Sequence, residues 1–94
     1  MKKTYVILLE DTEKQLNRDV IARHVSHLKG FDSEGMLIIC GPFEDYRGGM
    51  IILNCNSLEE AHMLAKKDPF VSEGYRSYSV RTLEVADKSN NFLG

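Results

Sequence analysis

The sequence predicts a ferredoxin-like α+β fold in the order β-α-β-β-α-β, and three observations carry that expectation. Four short segments rich in aliphatic and β-branched residues are interleaved with two longer segments of helical periodicity. Glycine and proline mark the junctions between them. Three of the strand segments are apolar at consecutive positions instead of alternate ones, so both faces of the sheet call for cover.

Thr4–Glu10 reads as the first strand, because Tyr5, Val6, Ile7, Leu8 and Leu9 are β-favouring or aliphatic and acidic residues bound the run. A helix is expected from Glu13 to Glu34, with Gly35 as its C-terminal stop. Met36–Cys40 forms the second strand, and Gly41–Gly49 a loop rich in turn chemistry through Pro42, Gly48 and Gly49. Met50–Cys55 is the third strand. Ser57 and Glu60 fit a capping box opening a helix that runs to about Lys67. Asp68-Pro69 ends it, Phe70–Gly74 has room for one more turn, and Ser77–Val85 is the fourth strand. The whole chain of 94 residues reads as one domain, with residues 87–94 a mobile polar tail on which only Phe92 has reason to dock.

Two right-handed crossovers in this order give a four-stranded antiparallel sheet with both helices on one face. The other face is then left with the second apolar side of Tyr5–Leu9, Met36–Cys40 and Met50–Leu53. A bare patch of that kind marks an interaction surface, and a two-fold homodimer through it is the simplest cover.

Composition narrows the function classes. A formal charge of −2 lacks the basic excess of an electrostatic nucleic-acid binder. The third strand also has no aromatic residues on which bases stack, so no nucleic-acid partner is expected. No apolar run approaches the roughly 20 residues that cross a bilayer, so no membrane partner is expected. The apolar stretch after Lys2 and Lys3 stops at Glu10 and Asp11, too soon for a secretory signal. Cys40 and Cys55 show no metal spacing and read as buried thiols in a reducing cytoplasm. No fingerprint of an organic cofactor is present.

On a wheel of about 100° per residue from Leu16, the apolar stripe of Val20, Ile21, Leu28 and Phe31 centres near 70°. His24 falls at about 80° and His27 at about 20°, so both point toward the sheet, while Arg23, Ser26 and Lys29 face water. An imidazole inside such a stripe needs a hydrogen-bond partner, either a backbone carbonyl or a carboxylate. Two histidines three apart suit a metal, but no further ligand is placed to complete the set. His62, on the second helix, reads as structural or solvent-facing. Asp68 ends a helix, where its charge is disfavoured. It is either an exposed turn aspartate or the partner that fixes a histidine tautomer. Arg47 and Tyr46 in the glycine loop suit an anionic or phenolic ligand, the alternative for Arg47 being a solvated loop arginine, and Ser72, Tyr75 and Tyr78 follow Asp68 closely enough to donate into the same pocket.

His24, Gly35, the run Met36-Leu-Ile-Ile-Cys40, Gly41-Pro42, Ser57-Leu-Glu-Glu-Ala61 and Asp68-Pro69-Phe70 succeed one another in an order that resembles the YciI-like family of dimeric α+β barrel proteins. The resemblance spans about Lys3 to Val85. It implies sheets paired in a dimeric barrel, with the residues matching His24 and Asp68 as an active-site pair. The function it implies is general acid–base chemistry on a small, ring-containing acid or phenol, of lyase, isomerase or dehydrochlorinase type. The alternative is a non-catalytic module that binds or senses a small metabolite.

Overall fold

The computed structural model describes residues 2–94. Strands β1 (Lys3–Asp11), β2 (Leu37–Pro42), β3 (Gly48–Leu53) and β4 (Arg76–Glu84) form one antiparallel sheet in the order β2-β3-β1-β4. Helices α1 (Arg18–Ser33) and α2 (Leu58–Lys66) provide the crossovers, and a short α3 (Pro69–Ser72) precedes β4. This is the ferredoxin-like α+β layout.

Helix α1 starts later than the periodicity predicts. The segment from Thr12 to Leu16 is strapped to the start of β4, with Thr12 Oγ1 in reach of the Gly74 and Tyr75 carbonyls (2.8 and 3.0 Å). Lys14 Nζ donates to the Glu73 carbonyl and lies over the Tyr75 ring. Asn17 is then the N-cap: its Oδ1 accepts from the Val20 amide at 2.9 Å while its Nδ2 donates to the Tyr75 hydroxyl. These tertiary ties override the helix propensity of Glu13–Leu16. The helix ends as the sequence predicts. Gly35 takes φ +72°, its amide bonds the Asp32 carbonyl and the Met36 amide bonds that of Phe31, a Schellman motif.

Strand β2 ends two residues later than expected and β3 both starts and ends two residues earlier, leaving only residues 43–47 as loop. Gly48 and Gly49 belong to β3 and serve close approach: a Cβ on Gly48 would run into the Leu9 carbonyl oxygen, and one on Gly49 would lie 2.8 Å from that of Gly41. A register shift between Leu37 and Ile39 places a bulge at Ile38 in edge strand β2.

The core lies between sheet and helices. Tyr5, Ile7, Leu9, Ile51, Leu53 and Val80 come from the sheet, and Val20, Phe31, Ala61, Ala65 and Phe70 from the helices. Full burial of side chains such as Ile7, Val20 and Leu53 contributes about 1.5–3 kcal/mol each. Strict alternation in β1 sends Val6 and Leu8 to the opposite face, where Met50 and Ile52 stand across from them. Ile39 (58% exposed) and Leu83 lie on that face as well.

Ser57 caps α2 by accepting from the Glu60 amide. The expected capping box is incomplete, because the Glu60 carboxylate takes the Asn56 amide, one residue earlier than that motif requires. The C-terminal segment carries a 3-10 turn, Lys88–Asn90, capped by Asp87. Lys2 pairs with Asp87 and holds its carboxyl down at about 2. Phe92 does not dock; it is 69% exposed. Among the described residues no helix is long and apolar enough to cross a membrane.

Candidate active site

The spacing Val20, His24, His27, Phe31 is one face of α1, and that face meets the sheet. His24 Nδ1 lies 2.8 Å from both carboxylate oxygens of Asp68. A carboxylate only accepts, so Nδ1 carries the proton and Nε2 is left with its lone pair or a second proton. The imidazole stacks on Phe70, with ring centroids 3.7 Å apart and planes 5° from parallel. Its side chain is 13% exposed, through a cavity of about 460 Å3.

Asp68 is 1% exposed and not a turn residue in solvent. The expectation that its charge opposes a helix end is corrected here, since Pro69 at the first position of α3 turns the end of α2 into the start of another helix. Asp68 is its N-cap, with Oδ1 accepting from the Phe70 amide at 2.9 Å. Each carboxylate oxygen therefore has a donor, as a buried charge requires. On the surface, Glu73 at the end of α3 pairs with Arg23 of α1, which holds the Glu73 carboxyl below its usual range. That pair clamps the two helices bearing the dyad.

Leu9, Leu16, Ile21, Val25, Leu28 and Ile51 wall the cavity, and its floor runs along the side-chain-poor stretch of Gly41, Gly48 and Gly49. Two strong hydrogen-bonding side chains reach it, those of His24 and Arg76. The four residues expected to bind substrate line other places. Arg47 is 86% exposed and pairs with Asp11 at 3.1 Å outside the cavity, because it stands in the hairpin turn just before β3 begins. Tyr46 lies beside it. Ser72 is exposed at the end of α3. The Tyr75 hydroxyl is taken by Asn17, and that of Tyr78 lies 3.0 Å from His62 Nδ1 beneath α2.

The sequence reading missed Arg76. It placed the start of β4 one residue late and so left out a charge that shares the helix-covered face with Tyr78 and Val80. A lone arginine in that alternation was the available signal.

His27 differs from His24. Burial lowers its pKa, against the opposing pull of the Asp68 charge. Its Nε2 is buried without a hydrogen-bond partner among the described residues. Cys40 borders the cavity, and burial pushes the Cys55 thiol up and away from reactivity. Among the described residues no three His, Cys, Asp or Glu side chains gather as a metal site.

Comparison with known proteins supplies the family. The structure matches that of the 5-chloro-2-hydroxyhydroquinone dehydrochlorinase TftG from Burkholderia phenoliruptrix AC1100, solved in complex with 2,5-dihydroxybenzoquinone. The TM-score is 0.74 at 22% identity, over 93% of this chain and 98% of that one, a likeness of fold. The uncharacterized protein YjpA of Bacillus subtilis (strain 168) is 35% identical over 78 residues, which is 83% of this chain and 91% of YjpA. Residues 3–84 match the YCII-related domain. With that match and that relative in hand, the chain belongs to the YCII-related (YciI-like) family.

Proposed function

We propose that the chain is a cofactor-independent acid–base enzyme in which His24 moves a proton on a small ring-bearing acid or phenol and Asp68 positions it. The supporting observation is a tautomer-fixed imidazole that lines a largely apolar, solvent-connected cavity. In an elimination from the keto form of such a phenol, Nε2 takes the proton of a remaining ring hydroxyl. The O–H pair becomes a carbonyl bond as the ring double bond shifts, and the leaving group departs from the saturated ring carbon with its own pair. Asp68 stabilises the imidazolium that forms, and Phe70 holds the ring plane. TftG is named for a dehydrochlorination, and the compound in its name is the first substrate to try. A non-catalytic metabolite-binding module is the second reading, favoured by the predominance of aliphatic walls.

The functional unit we propose is a homodimer, closed over the open sheet face where Val6, Leu8, Ile39, Met50, Ile52 and Leu83 lie. The free thiols of Cys40 and Cys55 support a reducing, cytoplasmic setting.

One set of samples tests both parts. Chloride release from 5-chloro-2-hydroxyhydroquinone is measured for wild type and His24→Gln, with sedimentation run alongside. We expect turnover to fall roughly 10²–10⁴-fold on losing the imidazole, and the wild type to sediment as a dimer. Turnover indifferent to His24 sinks the acid–base reading, binding without turnover favours the sensor, and a monomer refutes the pairing.

A further inference from the structure

We infer that Arg76 is the anion-binding residue of the cavity, so that the ligand is a small acid seated with its negatively charged oxygen on the guanidinium and its body against the aliphatic walls. The inference rests on the reading of His24 as the base in the same cavity, and names the substrate class that base would meet.

Arg76 is the first residue of β4, opposite Asp11 of β1, and alternation turns its side chain to the helix-covered face. There it is only 15% exposed. Its donors are partly used: Nε lies 3.2 Å from Asp11 Oδ1, and Nη1 donates to the Tyr75 carbonyl at 2.8 Å. Among the described residues Nη2 makes no hydrogen bond, and the side chain borders the cavity. The other oxygen of Asp11, Oδ2, is held by Arg47, so Arg76 shares its one carboxylate partner with a second guanidinium. A cation pinned against an aliphatic wall attracts an anion more strongly than one in water, because the local dielectric is low. Planar guanidinium is the side chain best shaped to grip a carboxylate or enolate.

Phe70 sets the spacing. The His24 ring is 3.7 Å from the Phe70 centroid and Arg76 Cζ is 5.6 Å from it, so imidazole and guanidinium stand no further apart than the sum, about 9 Å. A single substituted ring is long enough to reach from one group to the other within that bound, with its anionic oxygen at one end and the exchanging proton at the other.

The test is an NMR titration of 15N-labelled protein with benzoate, with 2,5-dihydroxybenzoquinone, and with benzamide as the neutral shape control. Both acids should perturb the amides of Gly41, Gly48 and Gly49, and benzamide should bind at least about ten-fold more weakly. Arg76→Met should weaken the acids roughly ten- to hundred-fold, Arg76→Lys should restore part of the affinity, and the exposed-charge control Lys29→Met should leave it unchanged. Arg76 dependence confined to benzoate identifies a carboxylate, and dependence confined to the quinone an enolate; either supports the inference. Equal binding of acid and amide, full affinity in Arg76→Met, or binding of neither acid overturns it. Turnover is read separately. Arg76-dependent binding with His24-independent turnover defeats the acid–base reading alone, and the converse defeats this inference alone.

Discussion

The two ends of the helical layer are built differently. At the α2 end, Ala61 and Ala65 lie against the sheet with no exposed surface to speak of, and the helix sits close because its buried side chains are small. At the α1 end the helix presents Ile21, His24, Val25 and Leu28, while the sheet beneath offers Gly41, Gly48 and Gly49. Large residues above and none below leave a cavity. The contrast teaches that the hollow is made by what the sheet omits, since glycines required for strand approach also remove its floor.

The sharpest way to break the comparison is to remove the N-cap at each end. Asp68→Ala strips the cap of α3 and strands the His24 Nδ1 proton in a buried site, for an expected loss of roughly 2–4 kcal/mol in urea unfolding. Ser57→Ala at α2 removes an exposed cap and should cost only about 1 kcal/mol. Similar losses at both ends would mean that the dyad adds nothing to stability.

Next comes volume. Ala61→Leu overfills the tight end and should destabilise by about 1–3 kcal/mol. Val25→Leu, also an enlargement, projects into the cavity and should stay within about 0.5 kcal/mol while weakening benzoate binding. Equal penalties from the two would refute the contrast in packing.

The smallest effect concerns His27, which lies between the two ends beside Phe31 and within range of the Asp68 charge. Its folded pKa is depressed by burial, so the unfolded chain binds the proton more tightly. Its contribution is complete above the unfolded value of about 6.5 and is lost as pH falls through the folded one. His27→Leu should flatten that part of the stability profile between neutral and mildly acidic pH. An unchanged slope would show that other groups set it.

Much of the fold was legible because it rests on local pattern: five consecutive apolar residues in β1, Gly35 after a helical run, and Asp68-Pro69 after another. His24 and Asp68 stood out because each breaks a rule of its element, a polar ring in an apolar stripe and a charge at a helix end. The start of α1 did not, since Glu13–Leu16 are adequate helix formers and tertiary ties of Thr12, Lys14 and Asn17 to Glu73, Gly74 and Tyr75 hold them out of the helix. The cavity was hidden for a related reason. Gly48 and Gly49 read equally well as turn residues and as strand residues pressed against a neighbour, and pairing partners decide between those roles.

The bulge at Ile38 has a consequence for how the chain behaves in a crowd of its own copies. Strand β2 is an outer edge, short, aliphatic and without a neighbour on one side, the kind of edge that recruits further strands into insoluble sheets. Doubling a residue at Ile38 shifts the register between Leu37 and Ile39, and Pro42 removes an amide at the strand's end. Between these interruptions an incoming strand would find only about three residues in regular repeat. An apolar edge is thereby tolerated without a charged guard, and filling out the repeat by deleting Ile38 would cost solubility before it cost the fold.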